Sequence, residues 1–271
     1  MAARSRRSTG DGRSRTPGSP AAKRGKSQPR RHVRQERQAL YRRIAAEAAE
    51  RIFADKGSGQ ASMQEIAAEA GLSLATIYGV VDGKDGLLLS VHEWRMREFL
   101  DRIRSARDAH AGTLDAHLAV LLDGADFFLE HPDFLRLCCR DGYGWASGLT
   151  PTATSGALWT EGIAIPTELF RAGIAEGIYV DEPPGLLARK MLALKQVELT
   201  HWVEEGMTAS SKEVRDRLEA QFVRAFCTPG ALEATGRPAA TTRPATSTAP
   251  TNEPARPSRR GQKRTTKDED R

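Results

Sequence analysis

At 271 residues with 39% hydrophobic side chains, the chain can bury one large core or two modest ones, which argues against a wholly disordered protein. Cys138, Cys139 and Cys227 show no CxxC spacing and no neighbouring histidine cluster, arguing against a disulfide framework or a zinc site and for a reduced cytoplasm. The net charge of +6 is unevenly divided: residues 1–34 hold eleven Arg and Lys against Asp11 alone, residues 237–271 hold nine against four acidic residues, and the middle is left at −9.

Residues 1–34 are rich in Arg, Ser, Gly and Pro and nearly free of large apolar side chains, so they are expected to form a disordered basic tail. They lack the apolar segment of a secretory signal, and Pro17, Gly18, Pro20 and Gly25 break the amphipathic helix of an organellar transit peptide. Such a tail reads equally as an arm along DNA or as a solubilising segment. From about residue 35 to residue 231 the period becomes helical, with no sustained alternation, so the body is expected to be all-α. No stretch reaches the roughly 18 apolar residues of a membrane span, so no membrane partner is expected.

Leu40, Ile44, Ala48 and Ile52 predict one apolar stripe on a first helix that stops at Lys56-Gly57-Ser58-Gly59. Ser62 and Glu65 make a capping box for a second helix bearing Met63, Ile66, Ala67 and Ala70 on one side, and Gly71 ends it. Ser73 caps a third, short helix running to about Val80, with Leu72, Ile77 and Val81 turned inward. Two short helices across a Gly-Leu-Ser turn make a helix-turn-helix over residues 62–81. A long helix is expected from about Lys84 to Asp108, followed by helices over Thr113–Glu130, Pro132–Arg140, Leu158–Glu176, Pro184–Glu205 and Ser211–Phe226, with a loop between Asp141 and Gly156. Residues 231–271 read as a second disordered tail.

The helix-turn-helix carries its own chemistry. A recognition helix presents small and hydrogen-bonding side chains to a major groove only about 12 Å wide while its other face packs. Ser73, Ala75, Thr76 and Tyr78 meet the first demand, with Ala75 suited to a thymine methyl. Ser62 and Gln64 at the start of the preceding helix, and Lys84 at the start of the following one, are candidates for phosphate. The helix offers no Arg or Asn for a bidentate base contact, so the bases read stay open.

The stretch from Ile44 to Leu89 resembles the DNA-binding domain of the TetR (tetracycline-repressor) family. The shared features are the first helix ending in Phe53 and Gly57, the Ile66-Ala67 pair, Ala70-Gly71-Leu72-Ser73, Thr76-Ile77-Tyr78, and Lys84-Asp85 before Leu87-Leu88. Val80 and Val81 stand where the family usually has an aromatic residue or His and then Phe, and Gly86 replaces a commoner polar residue. The resemblance implies a DNA-binding domain over residues 39–99 and a helical effector-binding and dimerisation domain over residues 100–230. It implies a ligand-responsive transcriptional regulator, most simply a repressor that grips palindromic operator DNA as a homodimer and is released by a small-molecule effector. The last two long helices would then pair across the dimer through Leu187, Met191, Leu194, Trp202, Leu218 and Phe222. A pocket would draw on Phe127, Phe128, Trp145, Trp159 and Phe170, with no cofactor and no metal.

Two other readings compete. A nucleoid-type packaging protein would explain the charged ends but not the capped helix-turn-helix. An enzyme in a helical bundle lacks its motifs: Glu198 and His201 make one ExxH where a di-iron bundle needs two, and neither a Gly-x-Ser-x-Gly elbow nor a P-loop occurs.

Overall fold

A computed structural model describes residues 28–141 and 155–234. Within them lie α1 (Gln28–Lys56), α2 (Met63–Ala70), α3 (Leu74–Tyr78), α4 (Gly83–Asp108), α5 (Thr113–Glu130), α6 (Pro132–Asp141), α7 (Ser155–Ala175), α8 (Pro184–Glu204), α9 (Ser211–Phe226) and α10 (Pro229–Ala234). The described residues contain no strand, only an isolated antiparallel bridge between Tyr179 and Cys227. No described helix is long and apolar enough to cross a membrane.

The chain divides between a head and a body joined by α4. In the head, α1 packs on α2, α3 and α4; in the body, α4 and α5 form the centre, with α7, α8 and α9 against them and α6 reaching back to α1. Helix boundaries agree with the caps and breaks because these signals are local. Ser62 and Ser210 each form a reciprocal capping box, with Glu65 and Glu213, and Gly71 at φ 63° closes α2 in the left-handed conformation.

Four expectations need correction. Helix α1 begins at Gln28, so residues 28–34 are helical rather than tail. Arg, Gln and Glu are strong helix formers, extension from an already packed helix is cheap, and the His32–Glu36 and Arg43–Glu47 pairs add support one turn apart. The buried side of α1 is the small-residue face of Ala45, Ala46, Ala48, Ala49 and Phe53, whereas Leu40 is 56% exposed. Close approach to the neighbouring helices favours alanines over the larger residues that the four-residue spacing selected. Residues 231–234 continue α10.

The fourth concerns the stripes assigned to the dimer. Leu187, Met191, Leu218 and Phe222 are at most 1% exposed inside a single chain, Trp202 is buried with its indole donating to the Ala209 carbonyl at 2.9 Å, and Leu194 is half-buried. A second copy cannot reach the five buried side chains. They are core because α8 and α9 turn their most apolar faces to α5 and α7 and to each other.

Behind them lies an aromatic cluster. The His117 ring, fully buried, shares a 3.0 Å hydrogen bond between Nδ1 and the Tyr179 hydroxyl and meets Phe170 and Phe222 edge-on at 4.3 and 4.9 Å. A Cβ at Gly173 would collide with the Tyr179 ring, so glycine is what lets that ring lie against α7. Burial holds His117 neutral, lowering its pKa to about 3, and does the same to His92, lowered to about 4. Both folded values lie below the ordinary 6.5, so the unfolded chain binds more protons below that pH. The associated stability is present above pH 6.5 and is withdrawn as pH falls towards about 4 and then 3. Urea titrations at pH 7, 6 and 5 are expected to show a loss approaching roughly 1.4 kcal/mol per pH unit per histidine. An unchanged midpoint across that range would mean the rings are not held neutral.

Candidate nucleic-acid interface

The short α3 is held from below and open above. Ile77 is fully buried and Val81 nearly so, while Ala75 and Tyr78 face outward, Tyr78 being 54% exposed. Gln64 on α2 is exposed as well. The turn between the helices is rigid: the Leu72 N–H reaches the Ala67 carbonyl at 3.0 Å and the Gly71 N–H reaches that of Ala68 at 3.1 Å. A rigid turn fixes the angle at which α3 is presented to a groove.

The remaining candidates are partly committed to the fold. Ser73 Oγ accepts from the Thr76 N–H at 3.1 Å and lies 2.7 Å from Thr76 Oγ1, so the two hydroxyls share a proton and retain one to give. The Ser62 hydroxyl accepts from the Glu65 N–H and donates to the Glu65 carboxylate, leaving no proton for a phosphate unless the cap opens. Lys56, the Ser62 N–H and the Ser62 hydroxyl together hold that carboxylate at a pKa of about 2, so the cap persists through ordinary acid conditions. Lys84 Nζ donates to the carbonyls of Gly59 at 3.1 Å and Ala61 at 3.3 Å, tying α4 to the α1–α2 loop with one ammonium proton left over.

Arg42 was not singled out by the sequence. Its Nε donates to the Val80 carbonyl at 3.0 Å, just past the end of α3. This brings the exposed, basic first half of α1 beside α3. No local signal in the sequence links positions so far apart.

A buried ion pair fastens α1 to α4. Arg95 on α4 donates to both Glu50 oxygens at 2.8 and 2.9 Å, with the two side chains 13% and 6% exposed, and its guanidinium lies 4.0 Å from the Trp94 ring centroid. Arg43 covers the same ring at 3.8 Å. Arg136 of α6 reaches Asp55 of α1 at 3.2 Å. Helix α4 thus carries one end of the head and, further along, one wall of a cavity.

That cavity is a narrow one, bounded by α4, α5, α7 and α8 and open to solvent at its mouth. Phe99, Ile103, Met191 and Pro166 line it, as do Phe128 and Trp159, two of the aromatics expected to form a pocket. Phe127 and Phe170 are not among the lining residues; both are core, Phe170 in the cluster around His117. Trp145 lies outside the described residues. A single charged side chain, Lys195, joins the lining. The pattern of the chain marks apolar residues but does not say which of them border empty space.

The ExxH pair forms no metal site: the Glu198 carboxylate is held by Arg217 and by Gln221 at 3.1 Å, and His201 is exposed. Among the described residues no three His, Cys, Asp or Glu converge as metal ligands would.

Residues 46–91 match the tetR family of bacterial regulatory proteins. Two curated relatives from Bacillus subtilis are similar: the HTH-type transcriptional regulators YerO, 33% identical over 89 residues, and YuxN, 29% identical over 100. The matches cover 32% and 37% of this chain and about a third of each relative, 31% and 34%. Among solved structures, the transcriptional regulator FadR from Bacillus subtilis, in complex with stearoyl-CoA, has a TM-score of 0.60 at 18% identity, covering 66% of this chain and 96% of that one. The TetR family regulator PfmR from Thermus thermophilus has a TM-score of 0.56 at 21% identity, covering 68% and 98%. At such identities the solved structures speak for the fold, and the sequence matches speak for the head.

Proposed function

Because residues 46–91 match the tetR family of bacterial regulatory proteins, we propose that this chain is a cytoplasmic repressor that binds palindromic operator DNA as a homodimer and releases it when a small molecule fills the cavity. The observation that carries the reading is the two-sidedness of α3: Ile77 is locked into the core while Ala75 and Tyr78 stand free on the opposite face. Gln64 and the spare protons of Ser73, Thr76 and Lys84 surround that face for phosphate contacts. The exposed basic half of α1 adds charge along the backbone.

The surface for a second copy is the outward side of α8, where Leu186 and Val197 are 46% and 71% exposed and Ala193 lies between them. Two copies joined there would set two recognition helices on one face of DNA, about 34 Å apart for adjacent half-sites. The coupling runs through α4. An effector that parts α4 from α8 displaces Arg95 and, with it, Glu50 of α1, so the ligand is bound best by the conformer in which the heads are badly spaced. FadR from Bacillus subtilis, structurally similar, was solved with stearoyl-CoA, which supports a ligand-binding role for a body of this fold.

Footprinting on a selected binding sequence tests the proposal. A short protected palindrome is expected, bound by a dimer in sedimentation. Val197→Arg is expected to give a folded monomer that has lost most of that protection. Uniform coverage of any duplex would replace the regulator with a packaging protein, and absence of protection would remove the DNA-binding role.

A further inference from the structure

The lining of the cavity is apolar except for Gln196 and one charged side chain. Lys195 enters from α8 and is 4% exposed, yet its ammonium has neither an ion-pair partner nor a hydrogen-bond acceptor among the described residues. Its contacts are ring faces: Nζ lies 4.8 Å from the centroid of Phe99 and 5.7 Å from that of Phe128. Gly124 on α5 leaves room for it, since a Cβ there would sit 3.3 Å from Nζ. An ammonium with so little contact with water, set against two aromatic faces, is costly, and the cost falls when an anion arrives. Burial alone lowers its pKa to about 8, so it remains largely charged at neutral pH.

A structural role does not account for this placement. A lysine that served packing could extend its ammonium to water or to a carboxylate, as Arg215 does towards Asp126 on the far side of α5. Lys195 reaches no carboxylate among the described residues, and it borders the space that a ligand would fill.

We infer that the cavity selects an amphipathic monocarboxylate, whose carboxylate pairs with the Lys195 ammonium between the Phe99 and Phe128 rings while its hydrocarbon part fills the space towards Trp159 and Met191. The inference rests on the effector reading of the same cavity and gives it a chemical class. Neutral apolar compounds of equal size would leave the ammonium uncompensated, and cations would be repelled.

Calorimetric titration of the full chain with octanoate, decanoate and dodecanoate, each beside its matching alcohol, tests this. At least one carboxylate is expected to bind about tenfold or more tightly than the alcohol of equal length, a difference of about 1.4 kcal/mol. Lys195→Met keeps the length and removes the charge; it is expected to keep or raise the melting temperature, to bind the alcohols still and to lose the preference. Equal binding of acid and alcohol, binding of none of the carboxylates, or an intact preference in Lys195→Met would each overturn the assignment. A mass increase with loss of water on adding decanal but no carboxylate binding would do so too, because it would make the lysine a carbonyl trap. Operator binding is read separately by gel shift. A chain that prefers carboxylates but binds no DNA leaves the cavity assignment standing and removes the regulator, and the reverse result does the opposite.

Discussion

Tyr78→Ala is expected to weaken operator binding by about 2–6 kcal/mol while leaving the fold intact, because the proposed dimer would lose the proposed contact at both half-sites and each loss is worth about 1–3 kcal/mol. Tyr78 is 54% exposed and makes no hydrogen bond with the described residues, so its removal uncovers no core and orphans no buried group. Stability should therefore change by no more than about 0.5 kcal/mol, the usual range for an exposed site. Gel shifts at fixed salt measure the first quantity and urea titration the second. Unchanged affinity with unchanged stability would move the recognition surface away from α3. Tyr78→Phe separates the phenol from the ring: if only the hydroxyl touches DNA, Phe behaves as Ala does.

Glu50→Ala is expected to cost about 3–5 kcal/mol of stability, since it strands the Arg95 guanidinium where water barely reaches it. For a helical region of this size the melting temperature would fall by roughly 6–20 °C. The paired replacement Glu50→Met with Arg95→Met is expected to recover most of the loss, because the penalty comes from leaving one charge uncompensated and not from lacking the pair. Calorimetry of the three proteins measures this. A stable double variant that still binds DNA but no longer responds to ligand would also locate the link between cavity and head in this ion pair. A loss under about 1 kcal/mol in Glu50→Ala would show that Glu98, which also bonds Arg95 at 2.9 Å, suffices by itself.

The head was legible because its signals are short-range. Ser62 with Glu65, Gly71, and Ser73 before Leu74 state where α2 and α3 start and stop, and each is confirmed by a hydrogen bond within three residues or by a left-handed φ. The outward face of α3 followed from the same local geometry, since Leu74 and Ile77 lie one turn apart and Ala75 and Tyr78 share the other side. Commitments made over long separations were not visible. Lys84 is bound to the carbonyls of Gly59 and Ala61, and Arg42 to that of Val80, so each is partly a fold residue where a pattern would make it only a charge.

In the body the helices were readable and their roles were not. Period 3.6 marked Leu187, Met191, Leu218 and Phe222 as one-sided stripes, but a stripe says only that something covers it. What covers them is the same chain, through α5 and α7, while Leu186 and Val197 on the outward side of α8 stay exposed, a difference that helical period alone does not mark.

By itself, then, the order of residues determined an all-helical chain, the position and polarity of its helix-turn-helix, and an uneven charge with its positive share at the two ends. Caps, breaks and helical period are written within a turn or two, so no distant neighbour is needed to decode them. Tertiary structure decided which apolar face meets which, that Glu50 and Arg95 lock α1 to α4, and that Lys195 ends among aromatic rings with no counter-charge among the described residues. Burial and pairing depend on what the rest of the chain brings alongside, and that is set by packing across tens of residues, where a sequence pattern carries no distance.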